Sequence, residues 1–331
     1  MPRVMFAMES AELVADLFDD SALQRLRDVV DVEPVIFEKG MPQPPVQATD
    51  VDILITGWGA PTFDAATLDR FPRLRAVVHA AGTVKRLVTP ELWDRGIRVS
   101  SSAAANAMPV AEYTLSMILL TSKDVPYSAR MFSAGSDIHA ARPRTGSGAF
   151  GISVGIVGAS RIGRRVLELL RPFDIECLIY DPTLYDVDAR ALGARLVSLP
   201  ELLTRSQVVS IHAPALAETH RMIGAPQLAL MPDGATLINT ARGSLVDTDA
   251  LVAELTTGRL RAVLDVTDPE PLPAGHPLFS LPDVILTPHI AGSEGNELRR
   301  IGHQVVDEVE SFVQTGVLNH EVTSPDLARI A

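Results

Sequence analysis

Short apolar runs alternate with helical stretches along the first hundred residues. Apolar runs at residues 4–8, 35–37, 51–56 and 74–79 predict buried strands, while apolar positions at helical spacing in residues 22–30 predict a helix. A parallel sheet needs helices on its faces, so this alternation is typical of an α/β domain.

The alternation restarts at residue 151. Six apolar runs, at residues 153–157, 177–180, 208–212, 236–239, 262–264 and 284–286, predict the strands of a second, doubly wound sheet. Residues 107–120 predict a long buried helix, and residues 297–316 predict another. The polar stretch 124–151 has little periodicity. It is open to interpretation as a lid, an interface arm or an excursion before the next strand.

Composition and charge narrow the class of protein. The chain has 331 residues, 47% hydrophobic and 21% charged, which is typical of a globular protein with two domains. A net charge of −12 without a Lys/Arg block disfavours nucleic-acid partners. No apolar run is long enough for a membrane span or a signal peptide. The single cysteine, Cys177, excludes an intramolecular disulfide and a cysteine-cluster zinc site, so we expect a cytoplasmic protein without a metal.

The run VGIVGASRIG resembles a dinucleotide-binding turn. Gly158, Ser160 and Gly163 follow an apolar strand and open an amphipathic helix. Gly158 would supply the tight turn, Gly163 would let helix and strand approach, and the N–H groups at the helix start would face a pyrophosphate. Ser160 replaces the usual second glycine, and its hydroxyl is a candidate phosphate donor. Taken alone, the segment is equally compatible with a βα turn that binds no ligand.

Asp181 favours the cofactor interpretation. It ends the next predicted strand, 23 residues after Gly158, where an acidic residue binds the adenosine ribose hydroxyls. A carboxylate would repel a 2′-phosphate, so Asp181 predicts NAD rather than NADP. The alternative is an ordinary Asp-Pro turn that ends a strand.

Three later strands are followed by a cation, a carboxylate and an imidazole. Arg242, Glu270 and His289 follow the fourth, fifth and sixth predicted strands of the second sheet, and the carboxyl ends of such strands carry the chemistry of doubly wound folds. A lone His or Arg is usually structural or solvated, so the combination carries the prediction.

The chain resembles the NAD-dependent D-2-hydroxyacid dehydrogenases, the family of D-lactate, D-glycerate and phosphoglycerate dehydrogenases. The resemblance covers most of the chain and runs through NAMPVAEYTL (106–115), VGIVGASRIG (154–163), SIHAPALAETHRMI (210–223), MPDGATLINTARGSLVD (231–247), LDVTDPEPLP (264–273) and TPHIAG (287–292). It implies that Arg242, Glu270 and His289 are catalytic. In that family's reaction, reduction of a 2-keto acid needs a hydride, a proton donor and a cation for the carboxylate. We therefore assign His289 as the acid/base, Glu270 as its partner and Arg242 as the substrate anchor.

The resemblance also implies the residues that line the cofactor and the substrate. Besides Gly158, Ser160, Gly163 and Asp181, the cofactor-binding residues would be Arg161, Ile162, His212, Ala213, Pro214, Thr219, Thr240, Ala241, Asp265 and Gly292. Gly82 and Thr83 would offer backbone N–H groups to the substrate carboxylate. This turn departs from the family pattern, because Lys85 and Arg86 stand at or near an acidic position. They would either bind a second acidic group of the substrate or form an exposed basic helix start.

These predictions combine into one architecture. We expect a flavodoxin-like substrate domain, residues 1–102 plus 297–331, into which a Rossmann cofactor domain, residues 103–296, is inserted. The substrate would be a small 2-keto or 2-hydroxy acid, bound in a cleft that closes to exclude water. The resemblance implies a homodimer formed through the cofactor domain.

A non-catalytic protein on the same fold is the alternative. Corepressor-like NAD sensors illustrate it, and fold alone cannot exclude it. Retention of Arg242, Glu270 and His289 disfavours a degenerate site. Formate oxidation is disfavoured because it needs no proton donor and that branch carries glutamine at the position of Glu270, whereas phosphite oxidation stays open.

Overall fold

A computed structural model describes residues 1–41 and 43–328. The described residues divide into two compact units: unit 1 comprises Met1–Ala107 and residues 293–328, and unit 2 comprises Met108–Gly292. These boundaries lie a few residues inside the predicted cofactor domain of residues 103–296. The last three residues of the predicted 297–331 segment lie outside the described part of the chain.

Unit 1 is built on a parallel sheet. Its described strands are β1 (Arg3–Met8), β2 (Asp31–Val32), β3 (Phe37–Glu38), β4 (Ile53–Thr56), β5 (Ala76–His79) and β6 (Arg98–Ser101). They pair in the order β2-β1-β4-β5-β6, and β3 also pairs with β1. Apart from β3, this is the 2-1-3-4-5 order of flavodoxin-like folds, as predicted.

Unit 2 holds a second parallel sheet. Its described strands are β7 (Ser153–Val157), β8 (Glu176–Tyr180), β9 (Arg195–Leu196), β10 (Val208–Ile211), β11 (Thr236–Asn239), β12 (Arg261–Leu264) and β13 (Val284–Leu286), in the order β13-β12-β11-β10-β7-β8-β9. The strand order reverses between β7 and β10. Doubly wound sheets bind ligands outside the carboxyl ends of the strands at such a reversal.

Two expectations about the sheets were wrong. The second sheet has seven strands among the described residues, not six, because β9 is a two-residue edge strand, too short and too exposed to give an apolar run. In unit 1 the edge strands β2 and β6 also gave no predicted run. The doubly wound α/β class predicted for both units is confirmed.

Helices cover the sheets. The described α-helices are α1 (Ala11–Leu17), α2 (Asp20–Val29), α3 (Ala65–Leu68), α4 (Pro90–Asp94), α5 (Ala103–Ser122), α6 (Val125–Ser133), α7 (Arg161–Leu170), α8 (Asp186–Ala191), α9 (Leu199–Arg205), α10 (Ala225–Leu228), α11 (Thr248–Thr256) and α12 (Leu298–Thr315). The two long helices predicted at 107–120 and 297–316 are α5 and α12. No helix in the described ranges is long and apolar enough to cross a membrane.

Ion pairs hold the segment 124–151 against the sheet of unit 2. The buried Asp124 carboxylate accepts hydrogen bonds from Arg144 at 2.7 and 2.8 Å, and Arg144 also bonds Asp283 at 3.0 Å. Arg261 of β12 adds a bond of 3.3 Å to Asp124. The segment begins with α6 and is therefore an ordered excursion held at the sheet edge.

The core of unit 1 forms because its strand residues alternate between two covered faces. In β1, Val4 and Phe6 pack with the face that contacts α12, while Met5 and Ala7 pack on the opposite face. Helix α12 crosses α1 so closely that a Cβ on Gly302 would lie 1.9 Å from the Leu17 carbonyl oxygen. Only glycine fits this crossing.

Gly302→Ala should therefore destabilise unit 1. The new methyl group must push α12 away from α1, and overpacking of this kind costs about 1 to 3 kcal/mol. Urea unfolding of the variant measures the loss. Arg299→Ala on the same helix is the control, since Arg and Ala have similar helix propensities. An unfolding free energy equal to that of the control would contradict the packing argument.

Candidate active site

Polar groups collect at the carboxyl ends of the unit 2 strands. The glycine-containing turn follows β7, Asp181 follows β8, His212 follows β10, Arg242 lies three residues after β11, and Asp265 follows β12. Parallel strands bring their carboxyl ends to one edge. The predicted cofactor and catalytic residues of unit 2 therefore share this edge.

The two glycines of the turn are required by close backbone contacts. Gly158 has a φ of 101°, and a Cβ there would lie 2.6 Å from the Ala213 nitrogen. A Cβ on Gly163 would lie 2.2 Å from the Gly158 carbonyl oxygen. The tight turn and the close approach of helix and strand are confirmed, and the turn presents bare backbone at the head of α7.

The start of α7 suits an anionic group. Ser160 is the N-cap, and its Oγ accepts a hydrogen bond of 3.3 Å from the Gly163 N–H. Within the described ranges, the N–H groups of Arg161 and Ile162 have no hydrogen-bond acceptor. Free N–H groups at the positive end of a helix bind phosphate groups, so the turn fits a pyrophosphate.

Asp181 is fixed beside this turn. Its Oδ2 accepts a hydrogen bond of 2.7 Å from the Ala159 N–H, and its Oδ1 accepts bonds from the N–H and the hydroxyl of Thr183, at 2.8 and 2.7 Å. Three donors hold the carboxylate at the end of β8. The acidic group predicted from sequence spacing thus lies directly against the glycine turn.

His212 packs beneath the turn as a neutral ring. The residue is 3% exposed, and its Nε2 lies 2.9 Å from the Ser210 hydroxyl. Burial lowers the pKa of His212 to about 3. Farther along, the Thr219 hydroxyl donates to the Pro214 carbonyl at 2.6 Å and accepts from the Leu216 N–H, which shapes the loop that follows.

His289 and Glu270 form a direct pair. The Nδ1 of His289 lies 2.6 Å from Oε1 of Glu270, and about half of each side chain is exposed. His289 has a φ of 59°, in the left-handed region that residues with a Cβ rarely adopt. The structure thus brings together two of the three predicted catalytic residues and leaves the imidazole accessible.

Asp265 anchors the loop that carries His289. Its carboxylate, on a residue that is 2% exposed, accepts bonds from the Thr287 hydroxyl at 2.6 Å, the Ile290 N–H at 2.8 Å and the Ala291 N–H at 2.9 Å. Its backbone oxygen accepts the His289 N–H at 2.9 Å. The cofactor contact predicted for Asp265 stays a prediction; in the structure this carboxylate holds the His289 loop.

Arg242 follows β11 on a loop with its own internal bonds. The Asn239 side chain accepts from the Ala241 N–H at 3.0 Å and donates to the Arg242 carbonyl at 2.8 Å, while Arg242 Nη1 donates to the Ala241 carbonyl at 2.6 Å. The guanidinium is partly exposed.

Gly243 sets how close the Arg242 loop lies to the next one. A Cβ on Gly243 would lie 2.0 Å from the carbonyl carbon and oxygen of Thr267, in the segment that leads to Glu270. Thr240, before Arg242, lies 3.2 Å from the Thr114 hydroxyl of α5. Backbone contact therefore fixes the segments that carry Arg242 and Glu270 against each other.

Sequence reasoning missed three residues of this site. Gly243 directly follows Arg242, and Thr287 lies two residues before His289. Both lie inside motifs that carry the family resemblance, so their position beside predicted catalytic residues was the signal that could have identified them. Tyr113 on α5 reaches the Thr287 hydroxyl at 2.8 Å across 174 residues of sequence. No local pattern indicates that contact.

The predicted substrate turn lies in unit 1, after β5. The N–H groups of Gly82 and Thr83 have no acceptor in the part of the chain that the structure describes, as a carboxylate-binding turn requires. Lys85 and Arg86 are exposed and lie in a turn, so the helix start considered for them is absent. Behind this turn, His79 is buried and bonds Thr56 at 2.9 Å, and burial lowers its pKa to about 4.

The unit 2 edge offers an imidazole paired with a carboxylate, a guanidinium and a turn that fits a pyrophosphate. No cluster of metal-ligating side chains occurs among the described residues. Such a set suits proton transfer next to a bound dinucleotide.

Comparison with known proteins agrees with this interpretation of the site. Residues 115–291 match the family model described as D-isomer specific 2-hydroxyacid dehydrogenase, NAD binding domain. A glyoxylate reductase from Thermofilum pendens is 36% identical over 70% of this chain and 69% of its own length. A D-3-phosphoglycerate dehydrogenase from Mycobacterium bovis is 32% identical over 94% of this chain. The chain spans only 60% of that relative's length.

Solved structures share the fold. The TT0316 protein from Thermus thermophilus has a TM-score of 0.75 and 32% identity, and the match covers 97% of this chain and 100% of the other. A D-2-hydroxyisocaproate dehydrogenase has a TM-score of 0.82 at 21% identity, with 98% and 100% coverage, and supports the fold alone. With an NAD-binding domain over residues 115–291 and relatives along most of its length, the chain belongs to the D-isomer-specific 2-hydroxyacid dehydrogenase family.

Proposed function

We propose that this protein interconverts a 2-keto acid and a D-2-hydroxy acid with NAD(H). The observation that carries the proposal is the His289–Glu270 pair, 2.6 Å apart, at the same sheet edge as a turn that fits a pyrophosphate. When bound, the nicotinamide supplies or accepts the hydride. The protein itself must transfer the proton and bind the negatively charged substrate.

His289 is the proton carrier in this proposal. With Nδ1–H donated to Glu270, the proton to be exchanged with substrate is the one at Nε2. In reduction the imidazolium donates that proton to the carbonyl oxygen, and in oxidation the neutral ring accepts it from the hydroxyl. Glu270 orients the ring and balances the charge of the imidazolium.

Arg242 is the substrate anchor. Its guanidinium stays charged at any working pH and can bind a carboxylate through two N–H groups while polarising the neighbouring carbonyl. The Asn239 and Gly243 contacts hold its backbone, so the cation is aimed before substrate arrives. The N–H groups of Gly82 and Thr83 in unit 1 have no acceptor among the described residues. We propose that they also donate hydrogen bonds to the substrate carboxylate.

The cofactor assignment rests on the same edge. The N–H groups of Arg161 and Ile162 would face the pyrophosphate, and Asp181 would accept a ribose hydroxyl. The remaining predicted contacts, from His212, Ala213, Pro214, Thr219, Thr240, Ala241, Asp265 and Gly292, stay proposals implied by the family.

Assembly and location are also proposals. A homodimer formed through the cofactor domain is supported by the exposed apolar side chains of Phe132, Ile138 and Phe150 on the segment 124–151, each more than 60% exposed. We also propose a cytoplasmic location, because a single cysteine suits a reducing compartment.

A panel of 2-keto acids with NADH and with NADPH tests the function and the cofactor choice together. At least one keto acid should be reduced, and NADH should be preferred about 30- to 1,000-fold, because a 2′-phosphate beside Asp181 meets repulsion and loses a hydrogen bond, about 2 to 4 kcal/mol. NADH binding without turnover of any acid would instead favour the sensor-like alternative. Equal efficiency with both cofactors would refute the role of Asp181.

Arg242→Gln should remove most activity and leave NADH affinity intact. Glutamine keeps a polar side chain but deletes the charge that binds the carboxylate, so the loss should fall on kcat/KM for the keto acid. Steady-state kinetics and an NADH fluorescence titration on the same preparation give both numbers. Near-normal turnover on the best substrate would refute the assignment.

The two directions of the reaction should show opposite pH dependence. Reduction needs the imidazolium and should fall as pH rises, whereas oxidation needs the neutral ring and should fall as pH falls. His289→Gln should abolish this opposition and cost about 100- to 10,000-fold in rate. Glu270→Gln keeps a hydrogen bond but deletes the charge, and its loss should be smaller. Profiles of kcat/KM in both directions measure this, and a Glu270→Gln profile identical to the parent's in height and position would make the carboxylate structural.

A further inference from the structure

Tyr113 joins α5 to the loop of His289. Its hydroxyl lies 2.8 Å from Oγ1 of Thr287, two residues before His289, and the side chain is partly buried. Both residues belong to unit 2. No predicted role at the site included Tyr113.

The direction of the hydrogen bonds is determined by counting protons. Thr287 donates its only hydroxyl proton to Oδ1 of Asp265, at 2.6 Å. Thr287 can therefore only accept from Tyr113, and the phenol must donate. Burial raises the pKa of Tyr113. The hydrogen bond with Thr287 offsets part of this increase, and the charge of Asp265 adds a smaller one, so the phenol keeps the proton it donates.

The chain Tyr113 to Thr287 to Asp265 ends where it can affect His289. Asp265 also accepts from the N–H groups of Ile290 and Ala291, and its backbone oxygen accepts from that of His289. His289 itself holds a φ of 59°, a conformation that persists only when its surroundings over-determine it. Each bond to the carboxylate contributes to holding that conformation.

We propose that Tyr113 is a positioning residue that holds His289 in its reactive orientation through Thr287 and Asp265. This inference rests on the proposed role of His289. Consecutive hydrogen bonds polarise one another, so the phenol strengthens the Thr287–Asp265 bond as well as restricting the threonine rotamer. A small displacement of a catalytic group costs much rate.

The first test is Tyr113→Phe, which deletes the hydroxyl and keeps the ring. It should lower kcat for keto-acid reduction about 5- to 50-fold, and leave the KM of the keto acid and the Kd of NADH within about twofold. The primary isotope effect with deuterated NADH should rise, because a misplaced proton donor makes the chemical step more rate-limiting. Tyr127→Phe is the matched control, since the Tyr127 ring packs against Arg144 and its hydroxyl makes no hydrogen bond within the described ranges.

Variants at Thr287 test whether the effect passes through that residue. Thr287→Ser keeps the hydroxyl and should retain most activity, whereas Thr287→Val should lose about as much as Tyr113→Phe or more. Tyr113→Phe combined with Thr287→Val should be no slower than Thr287→Val alone, because both break one chain. Additive losses would refute the path through Thr287.

A measurement that needs no enzymatic turnover tests this inference independently of the proposed function. Amide hydrogen exchange in peptides covering residues 284–292 should be faster in Tyr113→Phe than in the parent and in Tyr127→Phe. If no keto acid is reduced by the parent, the proposed function fails while the exchange result still decides whether Tyr113 holds the loop.

Two results would overturn the inference. One is Tyr113→Phe with parental exchange in residues 284–292 and a kcat within twofold of the parent. The other is a parallel loss of kcat, NADH affinity and thermal stability, which would show a general packing role for Tyr113.

Discussion

The buried carboxylate of Asp265 holds together the part of the molecule on which the proposed chemistry depends. Burying an ionised group is costly unless hydrogen bonds replace its water, and here the Thr287 hydroxyl and two backbone N–H groups do so. Such charge-assisted bonds are worth about 1.5 to 3 kcal/mol each, against about 1 to 2 kcal/mol for one residue in the left-handed region. The bonds outweigh the cost of the unusual backbone of His289.

Close backbone approaches provide the second constraint. Gly158, Gly163 and Gly243 each lie where a Cβ would meet backbone atoms at 2.6 Å or less. At Gly158, the turn packs against the residues that follow β10. At Gly163, the start of α7 packs against the Gly158 carbonyl oxygen of the same turn. At the third, the loop of Arg242 packs on the segment that leads to Glu270. The catalytic segments are therefore spaced by main-chain contact, which side-chain motion cannot relax.

The titratable groups at this edge differ in burial, and burial determines which of them can exchange a proton with a bound molecule. His212 is enclosed and neutral, and Asp265 is enclosed and fully engaged by donors, so both are fixed parts of the scaffold. His289 and Glu270 are about half exposed and face each other, so their proton can exchange with a bound molecule. The same edge thus keeps its fixed polar groups inside and leaves the His289–Glu270 pair accessible.

Residue patterns were enough to predict the two parallel sheets, the glycine-containing turn, the position of Asp181 and the three catalytic candidates. Apolar runs report burial, and glycine and carboxylate spacing within one strand-turn-helix unit reports local contacts, whereas the exposed two-residue strand β9 left no such pattern. Residue patterns did not indicate that Asp265 anchors the His289 loop, or that Tyr113 reaches Thr287 across 174 residues of sequence. Periodicity shows that a residue is buried, but the packing of helices and strands decides which distant residue it meets.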